Sequence, residues 1–173
     1  HHSLLVGVQA SGAQLKRFAH NDLHALHHQL QACRSQRPDA RLVVISESLF
    51  SMEGTSPDVP ALAALCRDYG ASLLLDEAHA LGVLGFEGRG LGLGLEGITM
   101  ISGTFGKAFG SGGAFLACDQ EQADALLQTS GAFRYTTALA PPLAAAALAA
   151  LDLLKGHPGW GSDLVKKSNR WRN

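Results

Sequence analysis

Short apolar runs separated by stretches with helical spacing are what most narrows the fold of this chain. Leu42-Val43-Val44-Ile45, Ser72-Leu73-Leu74-Leu75, Ile98 to Ser102 and Ala114 to Cys118 each read as a strand. A strand that is apolar on both sides needs cover on both faces. The alternation therefore predicts an α/β fold, with a mostly parallel sheet flanked by helices. In such sheets ligands collect in the crevice beyond the carboxyl ends of the strands. Residues that end the apolar runs are the first place to look for chemistry.

Between the runs, the spacing predicts a helix from Asp22 to Arg34 capped by Asn21. A second is expected from Val59 to Tyr69, entered through Pro60 and ended by Gly70. Leu15 to Phe18 is read as a short strand, and the glycine-dense stretch Gly82 to Gly97 as a long loop with room for one helical turn. Gln120 to Ser130 is expected to be helical, and Pro141 and Pro142 to open a long helix ending near Lys155 and Gly156. No internal repeat is visible. The chain starts at His rather than Met, and Ser162 to Trp171 reads as a helix stopped part-way, so a segment of a longer protein is expected.

With 173 residues, 46% of them hydrophobic, the chain has enough apolar material for one domain core. A net charge of -1 leaves no electrostatic footprint for nucleic acid or an anionic membrane surface, which turns the reading toward small-molecule chemistry. Cys33, Cys66 and Cys118 are odd in number and lack metal-ligand spacing, as expected of reduced thiols in a cytoplasmic protein. The longest apolar tract, Ala138 to Leu154, is mostly Ala and contains Pro141 and Pro142, so no membrane span is expected. No signal peptide is visible.

The chemistry gathers at two strand ends. Asp76 closes the run Leu73-Leu74-Leu75 and is followed by Glu77-Ala78-His79; Lys107 ends Ser102-Gly103-Thr104-Phe105-Gly106. An acid, an imidazole and an amine are thereby presented to one crevice. An amine there can form a Schiff base with an aldehyde if its surroundings lower its proton affinity. A carboxylate can keep a pyridine nitrogen protonated, which makes the ring an electron sink, and an imidazole can hydrogen-bond a phenolic oxygen. The trio suits pyridoxal phosphate (PLP). Each residue alone has a plainer reading, as a turn cap, a solvated lysine or a structural histidine; their joint spacing favours a site.

Three other patterns compete. Asp76-Glu77-Ala78-His79 also spells a helicase nucleotide motif, but that needs an upstream Gly-x-x-x-x-Gly-Lys-Ser/Thr loop, which this sequence lacks. Gly92-Leu93-Gly94-Leu95-Glu96-Gly97 matches the dinucleotide fingerprint, yet it precedes a strand instead of linking a strand to a helix. His20, His24, His27 and His28 have partly helical spacing without a supporting carboxylate or thiolate cluster, so they read as a solvated helix face and no metal is expected.

These residues resemble the α-oxoamine synthases, PLP enzymes of the fold-type-I aminotransferase superfamily, and the resemblance covers nearly the whole chain. Glu47-Ser48-Leu49-Phe50-Ser51-Met52-Glu53-Gly54 is similar to the family's Glu-x-x-Phe-Ser-Met-Asp-Gly. Asp76 to Gly85, with Gly88-Arg89-Gly90, resembles its Asp-Asp/Glu-Ala-His-x-x-Gly-x-x-Gly and Gly-Arg-Gly, and Gly103 to Gly110 resembles its lysine loop. Arg17-Phe18-Ala19-His20-Asn21-Asp22 is closest to the members that make a biotin precursor.

The resemblance implies decarboxylative condensation of L-alanine with a pimeloyl thioester, either pimeloyl-CoA or a pimeloyl-carrier protein, in a homodimer with shared sites. It implies that Lys107 carries the cofactor, Asp76 pairs with the pyridinium nitrogen, His79 contacts the ring oxygen, and Ser51 and Thr104 make further cofactor contacts. His1 would stack on the ring, although the sequence His1-His2-Ser3 leaves His2 open for that role. Thr136 and Thr137 are expected near the phosphate of the partner subunit. Residues 1-155 would be an incomplete PLP-binding large domain and 156-173 the start of the C-terminal small domain. The family's glycine-rich phosphate-binding segment and most of its small domain are not in these residues, so the segment alone is expected to be nearly inactive. A synthase of the family using glycine, such as a 2-amino-3-ketobutyrate ligase, and a non-catalytic homologous subunit both stay open.

Overall fold

The computed structural model describes residues 1–172. Four strands, β1 (Val43–Glu47), β2 (Ser72–Asp76), β3 (Met100–Thr104) and β4 (Ala114–Cys118), form one sheet in the order β1-β2-β3-β4. The first three are parallel and β4 runs antiparallel to β3. Helix α1 spans His2–Ala10, α2 Leu23–Gln36 and α3 Val59–Asp68. After the sheet come α4 (Gln120–Thr129), α5 (Gly131–Arg134), α6 (Pro141–Gly156) and α7 (Trp160–Arg172). The glycine-dense loop holds a single 3-10 turn, Phe86–Gly88.

The core lies under one face of the sheet. Leu26 and Leu30 of α2 and Leu62, Ala63 and Cys66 of α3 pack against Val44 and Leu73, with Phe18 and Ile98 at the margin. Leu73 and Leu75 are fully buried while Leu74 between them is only half-buried, the period-2 alternation of a strand with one tightly covered face. Burial pushes the Cys66 thiol up to about 11, which makes it an inert core residue. Helix α3 begins at Asp58, whose carboxylate accepts the Ala61 N–H at 3.0 Å. Its far end is clamped by Arg34, which donates to the carbonyls of Tyr69 (2.9 Å) and Gly70 (2.9 Å) and also to those of Pro38 and Ala40.

The structure departs from the sequence reading at several points. Leu15 to Phe18 is not a strand: the Arg17 carbonyl is taken by the Gln29 side-chain amide and Phe18 is drawn into the core, so the segment docks on α2 instead of pairing. The cap of α2 is Asp22, not Asn21. Asp22 has the extended backbone a cap needs and accepts the Ala25 N–H at 2.9 Å, while Asn21 turns the chain at φ 55 and reaches Thr55 Oγ1 at 3.4 Å. Helices α1 and α5 are additions to the predicted elements. No helix among the described residues is long and apolar enough to cross a membrane.

Candidate active site

The parallel register fixes the floor of the site. Glu47 of β1 is paired with Asp76 of β2, and Asp76 with Ser102 of β3, so three polar residues stand abreast at the carboxyl ends. Neighbouring strands lie about 4.8 Å apart, and residues paired in parallel register project from the same face of the sheet. Asp76 accepts the Ala78 N–H on Oδ1 at 2.9 Å, which opens the turn carrying His79. Among the described residues, Oδ2 of Asp76 has no protein donor. The Ser102 hydroxyl is buried without a hydrogen-bond partner.

Glu77 points the other way, into the protein, and is 1% exposed. Its Oε2 accepts the Ser48 hydroxyl at 2.7 Å and its Oε1 the Gly92 N–H at 2.6 Å. The carboxylate therefore pins the loop after β1 and the glycine-rich loop to the end of β2. Adjacent acids thus have opposite duties: Asp76 faces the crevice and Glu77 braces its wall.

Lys107 lies in the turn that joins β3 to β4. Phe105 N–H donates to the Gly113 carbonyl at 2.9 Å, Ser111 N–H to the Phe105 carbonyl at 2.8 Å and Gly110 N–H to the Lys107 carbonyl at 2.9 Å. Thr104 Oγ1 donates to the Gly113 carbonyl and accepts the Gly106 N–H, both at 3.1 Å. Ser111 donates its hydroxyl to the Leu143 carbonyl at 2.6 Å, tying the turn to the first turn of α6. The amine is exposed on a turn whose backbone is held at both ends.

Charge links the three residues. His79 binds its proton less tightly than an ordinary imidazole, first because burial disfavours the cation and then because of the Lys107 ammonium. Glu47 and Asp76 pull in the opposite direction without cancelling the effect. Asp76 and His79 lie on one turn at the end of β2, and the Lys107 ammonium on the next turn is near enough for its charge to weaken proton binding by His79.

Of the other predicted residues, Thr104 holds the lysine turn and the main-chain nitrogen of His1 is near enough to act on the charge of His79, whereas Ser51, Thr136 and Thr137 make no hydrogen bond to Lys107, Asp76 or His79 among the described residues. Ser51 sits on an exposed turn closed by the Phe50 N–H to the Thr55 carbonyl and the Gly54 N–H to the Phe50 carbonyl, and His20 steadies that turn by its 2.8 Å contact with Thr55 Oγ1. His1 caps α1, its Nδ1 lying 2.7 Å from Ser3 Oγ, and its main-chain amine meets the Glu47 carboxylate. Thr136 and Thr137 are exposed in the segment before α6. His24 and His28 face each other with Nε2 atoms 3.2 Å apart, and no group of three or more metal-binding side chains occurs among the described residues.

Residues 1–168 match the family described as aminotransferase class I and II. This chain belongs to that family. An 8-amino-7-oxononanoate synthase of Gluconacetobacter diazotrophicus is 47% identical over 172 residues, covering 99% of this chain and 43% of the relative. A serine palmitoyltransferase structure with a PLP internal aldimine superposes with a TM-score of 0.81 at 30% identity, covering 89% of this chain and 39% of that one. The structure of an 8-amino-7-oxononanoate synthase from Francisella tularensis gives a TM-score of 0.75 at 31% identity, covering 91% and 45%. The chain spans about two fifths of the length of the curated relatives it matches.

In this member of the class I and II aminotransferase family, the sequence reading gives Glu47 no role. Glu47 is the last residue of β1, separated from the apolar run by Ser46 alone, and Asp76 is the last residue of β2, so a related signal marks both. The structure buries it to 6% exposure beside Asp76.

Proposed function

We propose that the protein carrying this chain is a PLP-dependent α-oxoamine synthase that condenses L-alanine with a pimeloyl thioester, with loss of CO2, to give 8-amino-7-oxononanoate. The observation that supports the reading is that Asp76 and His79 follow β2 beside the turn after β3 that carries Lys107, whose charge acts on His79. Family membership and relatives named for this activity support it. The residue types also fit the cofactor: a carboxylate with one oxygen free, an exposed amine and an imidazole that holds its proton weakly.

When bound, PLP supplies an electron sink for a carbanion at the substrate α-carbon. Lys107 would hold the cofactor through Nζ, and its amine, when free, would take the proton from the substrate α-carbon. Asp76 would keep the proton on the ring nitrogen through its unused oxygen, and His79 would hydrogen-bond the ring oxygen. Thr104, which holds the lysine turn, and Ser51 would each offer a hydroxyl to the cofactor, and His1 would stack on the ring. Thr136 and Thr137 would serve the partner subunit's phosphate in a homodimer.

Residues 1-155 form the incomplete large domain and 156-173 open the small one. We assign the protein to the cytoplasm, with pimeloyl-CoA or a pimeloyl-carrier protein as acyl donor. The serine palmitoyltransferase neighbours favour a second reading in the same family, with serine and a long acyl thioester. The test is a panel of alanine, glycine and serine against pimeloyl, acetyl and palmitoyl thioesters on the intact protein. Turnover with alanine and a pimeloyl thioester, and borohydride fixation of PLP on Lys107, are expected. Turnover confined to another pair overturns the substrate assignment, and fixation elsewhere overturns the role of Lys107.

A further inference from the structure

The turn bearing His79 and the turn bearing Lys107 touch at one backbone point. A Cβ built on Gly82 would stand 2.6 Å from the Ala108 Cβ and 3.6 Å from Leu154 Cδ1. We propose that Gly82 is a positioning residue for Lys107: its bare α-carbon lets Ala108, and with it the lysine turn, seat against the wall that carries Asp76 and His79. The proposal rests on the reading of Lys107 as the cofactor-bearing residue.

Both sides of the contact are stiff. Gly82 follows Leu81, whose N–H bonds the Glu77 carbonyl at 3.0 Å and whose side chain lies against Gly103. Gly82 N–H donates to the Gly88 carbonyl at 2.7 Å, and a Cβ on Gly88 would already meet the Gly82 main chain at 3.0 Å. Gly82 therefore has no room to retreat. Across the contact, the bonds within Phe105 to Gly113 make the lysine turn move as a unit, so any displacement of Ala108 is passed to Lys107.

Carbon atoms settle at about 3.5–4.0 Å, so a methyl on Gly82 displaces Ala108 by roughly 1 Å. A shift of about 1 Å in a reacting group lowers its rate on the order of 100-fold. Gly82 also has φ +80, where side chains are strained wherever they point. Gly94, with φ +74 and nothing within 4 Å of a built Cβ, separates that strain from the contact.

The experiment measures the rate at which PLP becomes fixed to Lys107 on borohydride reduction of the intact protein, read by peptide mass. Gly82→Ala is expected to lower the rate about 100-fold, and Gly94→Ala to leave it unchanged. Ala108→Gly in the Gly82→Ala chain is expected to recover it to within about tenfold, because only the backbone strain is left. Ala108→Val, on an exposed residue with Gly82 intact, should slow fixation with an unchanged circular-dichroism melting curve; this variant decides the matter if Gly82→Ala does not fold. Wild-type rates in Gly82→Ala, or no recovery on adding Ala108→Gly, overturn the proposal. Absence of fixation on Lys107 in the unmodified protein instead overturns the cofactor reading, and the proposal with it.

Discussion

Replacing Glu77 by Ala should unlock the wall of the site, and the structure sets the scale. The carboxylate is 1% exposed, and the Ser48 it bonds is fully buried. Truncation removes the acceptor of the Ser48 hydroxyl at 2.7 Å and of the Gly92 N–H at 2.6 Å. Gly90 closes the space from the side, since a Cβ there would lie 2.9 Å from the carboxyl carbon, so water gains no easy entry. A buried donor left unpaired costs about 1–3 kcal/mol. The Ser48 hydroxyl can turn to the Asp76 carbonyl 3.3 Å away, so one orphaned donor, the Gly92 N–H, and a small cavity give a loss of about 2–4 kcal/mol for Glu77→Ala. Glu77→Gln keeps an oxygen for Gly92, and its amide can donate to Ser48 once that hydroxyl turns round, so about 1 kcal/mol is expected. Urea denaturation of the intact protein measures both. A loss below about 1 kcal/mol for Glu77→Ala, or equal losses for Gln and Ala, would refute the hydrogen-bond argument.

Arg34→Met keeps the apolar stem but removes four donations to carbonyls, so a loss of about 2–4 kcal/mol in denaturation is expected, and one below about 1 kcal/mol would deny the clamp its role. The His79 ring protons should titrate by NMR below the usual imidazole midpoint, and Lys107→Met should raise that midpoint because a neighbouring cation is gone. The sign follows for stability: with its folded-state proton affinity lowered, His79 contributes stability above the unfolded imidazole value, and this is lost as pH falls through that value toward the folded one. Asp76→Asn preserves an oxygen for the Ala78 N–H, so the fold should persist while PLP affinity, followed by fluorescence titration, falls about 10- to 100-fold; unchanged affinity would remove Asp76 from the ring nitrogen.

Much of the site was legible because it depends on local order along the chain. An apolar run that ends in Asp76, a histidine on the following turn and a lysine on a glycine-rich turn after the next run are all visible without knowing how strands pair. Helix α6 was equally plain, since Pro141 starts it and Gly156 lies at its end. What stayed hidden depended on partners. Leu15 to Phe18 has strand-like composition, but Gln29 and the core take up its main chain and Phe18. Helix α1 holds Val6, Gly7 and Val8, residues of low helical preference, and is capped by His1. The direction of β4 follows from the hydrogen-bonded turn around Lys107, which the run Ala114 to Cys118 does not encode.

Hydrophobic periodicity and glycine placement act within a few residues, and they set which residue types stand at each strand end. That Glu47, Asp76 and Ser102 stand abreast, that Glu77 turns inward while Asp76 turns out, and that Gly82 meets Ala108 came with the folded arrangement. Those outcomes depend on strand register and on close packing between segments far apart in the chain, and both are set by the balance of the whole core.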